Sequence, residues 1–125
     1  MAIQVNWKSI DPKVLHWQAI GDITWEQIFE ARETANTMCA TTEMPVFFVY
    51  DILDLGAIPK DSLSRIKELS TDVPHNVQAN FLISNLEGFI GTMIKAFVRI
   101  HGKYQIVSGF DEIMERIAET QPEIA

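Results

Sequence analysis

The run Val46 to Leu55, with the sequence VFFVYDILDL, constrains the fold of this chain more than any other segment. No charged residue precedes Asp51 within it, and a second carboxylate, Asp54, follows shortly before Gly56. An apolar run rich in β-branched and aromatic residues is typical of a strand in the middle of a sheet, buried on both sides. We therefore expect a sheet with this segment at its centre and a helix soon after it.

Length and composition indicate one globular domain. The chain has 125 residues, of which 47% are hydrophobic and 22% charged, within the usual range for a single domain. The net charge of −7 argues against binding to nucleic acid, which draws on a surplus of Lys and Arg. The single cysteine, Cys39, cannot form an internal disulfide, and polar residues interrupt any secretory leader. We predict a cytoplasmic domain over residues 1–125, with 121–125 a frayed tail and no membrane span.

Periodicity and helix-start patterns predict the remaining elements. Residues 3–8 and 13–20 alternate apolar with polar side chains, which indicates an opening hairpin. The pairs Thr24 with Gln27 and Ser84 with Glu87 have the pattern of a capping box, which marks a helix start. After the hairpin we predict a helix from Thr24, the central strand, a helix over 59–73, a strand over 77–83, a helix ending at Gly102, a strand over 104–107 and a helix over 110–120.

This order predicts an α/β fold with a mixed sheet of about five strands. Helices alternate with strands after the hairpin, which implies parallel strands joined by right-handed crossovers, in three βα units. Several strands also have polar residues, so we expect a single-wound sheet with helices mainly on one face and water on most of the other. The polar residues behind this expectation are Gln4, Asn6, His16, Gln18, Gln78, Asn80 and Gln105.

The pattern resembles the STAS fold, in particular its diverged SpoIIAA-like members, relatives of the bacterial anti-sigma-factor antagonists. The likeness lies in the hairpin, the Thr24-Trp25-Glu26 helix start, the central strand ending in Asp51 and the closing strand and helix. In the antagonists a Ser at a helix start is phosphorylated by a partner kinase to switch binding. Residues 61–63, Asp-Ser-Leu, are the nearest match, so the resemblance implies Ser62 as the phosphoacceptor, although Leu63 and Ser64 replace the family's second Ser and its Gly.

Asp51 and Asp54 are the first candidate site residues because the carboxyl ends of parallel strands usually hold ligands. Two carboxylates there could bind a cation or take part in acid–base chemistry. The simpler interpretation is that both solvate a loop and cap backbone amides. No third acid, His or Cys lies nearby in sequence, so we predict no metal site and no cofactor.

Ser62 and Ser64 lie near a predicted helix start, where the helix dipole favours a phosphate. The alternative to a phosphorylation site is that both are ordinary surface serines.

His16, His75 and His101 have no partner close in sequence, so each is expected to be solvated or to cap a helix. Cys39 falls on the apolar side of the first helix, where a buried thiol is inert.

The helix over 88–101 is apolar around more than half of its circumference. Phe89, Met93 and Phe97 are prominent, and only Thr92, Lys95 and Arg99 form a polar stripe. A helix on one side of a sheet needs about a third of its surface apolar, so the excess must be covered. This excess apolar surface could be covered by neighbouring helices, a partner protein, a second subunit or a lipophilic ligand.

The resemblance favours a non-catalytic regulatory module that binds a protein partner or itself as a dimer. The interaction candidates are Asp51, Asp54, Ser62, Ser64, Phe89, Met93 and Phe97. The alternative is a carrier of a small hydrophobic ligand, such as a lipid, in a pocket beneath the 88–101 helix. An enzyme ranks last, because acid–base catalysis needs a base near a second polar group in a cleft. An Asp buried beside a His in a pocket would reverse that ranking.

Overall fold

A computed structural model describes residues 3–56, 74–84, 91–92, 95, 99 and 104–120 of the chain. The predicted helix over 59–73 and the predicted tail over 121–125 lie outside these residues. Of the predicted helix over 88–101, the described residues Gly91, Thr92, Lys95 and Arg99 are helical. The elements described in full are β1 (Ile3–Ile10), β2 (Lys13–Gly21), α1 (Trp25–Cys39), β3 (Val46–Leu55), β4 (Val77–Ile83), β5 (Tyr104–Val107) and α2 (Phe110–Thr120).

The strands form one five-stranded sheet in the order β1-β2-β3-β4-β5. β1 and β2 are the antiparallel hairpin, and β2 to β5 run parallel. The apolar run beginning at Val46 is the middle strand, and Val46, Phe47, Phe48 and Val49 are each at most 3% exposed. The predicted fold class, a mixed α/β sheet opened by a hairpin, is confirmed.

α1 begins where the capping-box pattern predicts. The Thr24 backbone N–H donates to Gln27 Oε1 over 2.9 Å, and the Gln27 backbone N–H donates to the Thr24 hydroxyl over 3.2 Å. These two bonds satisfy backbone donors that a helix start otherwise leaves unpaired. Ala31, Ala35 and Cys39 are the buried residues of α1, spaced at four-residue intervals on one side of the helix.

The two fully described helices pack on opposite faces of the sheet. We call these the α1 face and the α2 face. The α1-face core contains Leu15, Ala35, Cys39, Val46 and Phe48. The α2-face core contains Val14, Phe47, Val49, Phe81, Ile83, Val107, Ile113 and Ile117.

The expected solvation of the reverse face is wrong for the described residues, because the α2 face has a buried core. The physical reason is that apolar residues of β2 to β5 share this face with the polar ones, and Ile113 and Ile117 of α2 pack on them. The polar strand residues also do not all lie on one side. Asn80 lies on the α1 face, where it accepts a hydrogen bond from Tyr50, whereas His16 lies on the α2 face beside Phe110. Exposed polar residues alternate along β1, at Gln4, Asn6 and Lys8. The helices are also predicted to lie mainly on one face. Two of the four predicted helices lie largely outside the described residues, so this part stays a prediction.

Candidate functional site

Asp51 and Asp54 lie within β3 rather than in a loop after it, because the strand continues to Leu55. The pairing of β2 with β3 shifts between them: Gln18 pairs with Asp51, and Ile20 pairs with Asp54. β3 thus has one more residue than β2 over this interval, as in a β-bulge. Bulges bend a strand and redirect its side chains, and they occur often beside functional sites. The two predicted site residues flank this irregularity.

Asp51 is buried and makes two hydrogen bonds. Its Oδ2 atom lies 3.0 Å from His16 Nε2, and its Oδ1 atom accepts from the Leu53 backbone N–H over 3.3 Å. The His16 ring contacts Phe110 edge-on, with 4.9 Å between the ring centroids. Lys8 Nζ lies 4.6 Å from the centroid of the same Phe110 ring. The pair therefore ties β2 to the bulged part of β3 and supports the start of α2.

The interpretation of Asp51 is half right: it accepts from a nearby backbone amide as expected, but it is buried in a strand rather than solvating a loop. The expectation of a solvated or capping His16 is wrong. The two residues are 35 positions apart, so no local pattern signals their contact. A carboxylate on one ring nitrogen orients an imidazole, which is also the arrangement of a proton-transfer pair. An Asp buried beside a His in a pocket would raise the rank of an enzyme, and the first part of that condition is met. The other part is a pocket around this pair; a groove among the described residues lies elsewhere, on α1, lined by Glu30, Glu33, Thr34, Thr37 and Met38.

Asp54 has a different environment from Asp51, because it is exposed. Beside it, Leu53 is 52% exposed and Ile20, its cross-strand neighbour, is 44% exposed. We call Ile20, Leu53 and Asp54 the rim patch. It lies at the carboxyl ends of β2 and β3. Within the described part of the chain no group of three or more His, Cys, Asp or Glu side chains is arranged to hold a metal ion.

A row of aromatic rings crosses the α1 face, and we call it the aromatic row: Trp17, Phe48, Tyr50 and Tyr104. The centroid of the Tyr50 ring lies 5.0 Å from that of Trp17 and 5.7 Å from that of Tyr104. Phe48 lies 5.5 Å from Trp17 and is buried, whereas Trp17, Tyr50 and Tyr104 keep partial exposure. Asn80, with its shorter side chain, occupies β4 between the two tyrosines.

The polar atoms of this row are poorly solvated. The Tyr50 hydroxyl donates to Asn80 Oδ1 over 3.5 Å. Burial raises the pKa of Tyr50 well above its usual value, and neighbouring Tyr104 raises it further, so the phenol stays neutral. Trp17 Nε1 is buried and has no hydrogen-bond partner among the residues that the structure describes. No sequence pattern identified this nitrogen, because its isolation depends on which face of β2 carries Trp17.

The other candidate residues divide between the described part of the chain and the rest. Cys39 is buried, and desolvation raises its pKa from 9.0 to about 11, as expected of an inert thiol. Thr92, Lys95 and Arg99 are exposed, in agreement with the predicted polar stripe. Ser62, Ser64, Phe89, Met93 and Phe97 lie outside the described residues.

No protein-family model matches the chain, and no curated protein matches it. Among solved structures, it is similar to an uncharacterized protein from the DUF3478 family with a SpoIIAA-like fold, from Shewanella loihica PV-4. The two share 14% sequence identity with a TM-score of 0.65, over 91% of this chain and 90% of that chain. The chain therefore has a SpoIIAA-like, STAS-type fold, as the sequence pattern predicted. None of the helices in the described ranges has the length and apolar character needed to span a membrane.

Proposed function

We propose that the protein is a non-catalytic, cytoplasmic interaction module with a regulatory role, and that it binds a protein partner through the rim patch. A second copy of the chain, giving a homodimer, is included among such partners. A fold by itself does not define a function, so the proposal depends on the site.

The exposure of Ile20 and Leu53 is the observation that carries this proposal. Two large apolar side chains on adjacent strands are 44% and 52% exposed at the carboxyl edge of a parallel sheet. Large apolar side chains that stay exposed favour association, and this edge is where open parallel sheets usually bind their ligands. Exposed Asp54 adds a carboxylate at the border, which favours a partner with a basic group facing it.

The environment of Asp51 supports a non-catalytic role. Both of its carboxylate oxygens are engaged, one with His16 and one with the backbone of the bulge. Such a carboxylate holds a strand irregularity in place. It thereby supports the backbone that presents Leu53 two residues later.

The test uses a charge introduced into the patch. Leu53→Glu and Ile20→Glu are compared with Ile10→Glu, whose residue is 58% exposed at the opposite end of the sheet. The native protein is isolated from its own cells with its retained components, which are quantified by mass spectrometry, and its mass is measured by sedimentation. We expect both patch variants to lose the stoichiometric partner or the dimer and the Ile10 variant to keep it. Folded patch variants that retain every component contradict the proposal.

Binding of a small hydrophobic ligand is the second candidate function. The partial exposure of three rings in the aromatic row favours it, because aromatic surface with a few polar atoms is typical of ligand sites. The ligand site foreseen beneath the 88–101 helix involves Phe89, Met93 and Phe97, which lie outside the described residues. Recovery of one lipophilic compound, rather than one protein, from the same isolation supports this candidate.

A further inference from the structure

Trp17 Nε1 is a buried hydrogen-bond donor that has no acceptor within the described ranges of the chain. The indole N–H can only donate, so no other role satisfies it. Buried tryptophan N–H groups usually find a partner, and an unpaired buried donor destabilises a protein. Such a group in a native structure calls for an explanation, and an acceptor supplied from outside the chain is one.

The surroundings of this nitrogen define what kind of acceptor fits. Phe48 and Tyr50 pack on the Trp17 ring at 5.5 and 5.0 Å between centroids, and Tyr104 extends the aromatic surface beyond Tyr50. Asn80 is the remaining polar side chain of the group and is also uncharged. A carboxylate or phosphate placed here would have no compensating cation among these five residues, and burying an unpaired charge is costly.

We propose that Trp17 Nε1–H is the donor of a small-molecule site on the α1 face that takes a ligand with a planar lipophilic body and an uncharged carbonyl-type oxygen. The oxygen accepts the indole hydrogen bond, and the body stacks on the aromatic row. This inference rests on the second candidate function, binding of a small hydrophobic ligand. It adds the hydrogen-bond donor, the aromatic row on which the ligand stacks, and the chemical class of the ligand.

Access to the site follows from the contrast in exposure within the row. Nε1 itself is buried, while Trp17, Tyr50 and Tyr104 are half-buried residues. A ligand therefore meets the exposed ring surface first and reaches the nitrogen after a local opening. The hydrogen bond gained by Nε1 offsets part of the free energy of that opening.

The experiment uses two probes that match in shape and differ in the acceptor: 2-acetylnaphthalene and 2-isopropenylnaphthalene. The full chain labelled with ¹⁵N has three tryptophans, so its spectrum shows three indole N–H signals. Trp17→Phe identifies the Trp17 signal by its disappearance while keeping an aromatic ring. Trp25→Phe, at the start of α1, is the matched control.

We expect the ketone to shift the Trp17 indole proton downfield and to bind about three- to tenfold more tightly than the alkene, a ratio typical of one net hydrogen bond. In Trp17→Phe the ratio of the two affinities, ketone to alkene, should fall to about one. In Trp25→Phe this ratio should stay as in the unmodified chain. Equal binding of both probes to the unmodified chain overturns the assignment of Trp17 but leaves hydrophobic-ligand binding standing. Failure of both probes to bind overturns the site and the second candidate function together.

Discussion

The two faces of the sheet use polar side chains in opposite ways. On the α2 face, His16 and Asp51 pair with each other, and Arg116 of α2 reaches Gln105 of β5 over 2.8 Å. On the α1 face, Tyr50 hydrogen-bonds Asn80 over 3.5 Å and also Tyr104, whereas Trp17 Nε1 has no partner in the described part of the chain. Polar groups on the α2 face thus join elements of the fold, whereas those on the α1 face include a donor left unused.

The difference indicates where stability and binding are located. A face whose polar groups are satisfied internally contributes to holding the chain together. A buried donor without an acceptor lowers stability, which is why we assign this one to the proposed ligand site. The rim patch lies at the carboxyl ends of β2 and β3, where we propose that a protein partner binds.

Ile113→Ala should have the largest effect on stability. Ile113 is fully buried in the α2-face core, and truncation of such a residue costs about 2–5 kcal/mol through lost burial and the cavity left behind. Met114, its neighbour in α2, is 39% exposed, so Met114→Ala is the control and should cost about 0.5 kcal/mol or less. Urea denaturation measures both. Equal losses would show that α2 does not close this face.

Asp51→Ala should cost about 1–3 kcal/mol, because it leaves His16 and the Leu53 amide without their acceptor. Asp54→Ala is the matched control, since Asp54 is an exposed carboxylate in the same strand, and it should change stability by about 0.5 kcal/mol or less. The free energy of unfolding of each variant is compared with that of the unmodified chain. If the two substitutions prove equivalent, the His16–Asp51 pair does not stabilise the bulge.

The titration of Cys39 makes stability depend on alkaline pH, and this dependence reports on the packing of the α1 face. Its pKa is raised by burial from 9.0 to about 11, so folding favours the neutral thiol. That contribution is fully present below pH 9 and is lost as the pH rises through about 11. Relative to Cys39→Ala, the unmodified chain should therefore lose stability between these values. A stability difference that does not change with pH would place Cys39 in contact with water.

Leu53→Ser should have the smallest effect on stability, within about 0.5 kcal/mol, because the side chain is already 52% exposed. The same substitution should weaken partner binding, which separates the rim patch from the two cores. Thermal unfolding and the isolation described above provide the two measurements. A large loss of stability would mean that Leu53 belongs to the core, and the rim patch would lose its main support.

Local patterns predicted the elements well because their causes are local. The apolar run at Val46 gave the middle strand, and the Thr24 capping box and the alternation over 77–83 correspond to observed elements. The length of β3 was underestimated, because Asp51 and Asp54 resemble loop residues when their partners are unknown. The partner of Asp51 is on another strand, and only the sheet register brings it near.

The distribution of polar residues between the faces could not be predicted for a similar reason. One register shift in a pairing moves all later side chains of a strand to the other face. β4 has such a shift near its start, between the pairs of Val46 and Phe47, so Asn80 lies on the α1 face. The isolation of Trp17 Nε1 likewise depends on packing among three strands.

The indole proton of Trp17 in the ligand-free protein provides the most direct test of the contrast between the two faces. Its chemical shift and its rate of exchange with solvent are measured by NMR, with Trp17→Phe identifying the signal. We predict slow exchange, because the nitrogen is buried, together with a chemical shift typical of an indole without an acceptor. A strongly downfield shift in the free protein would show that Trp17 is already hydrogen-bonded within the chain, which would contradict the account.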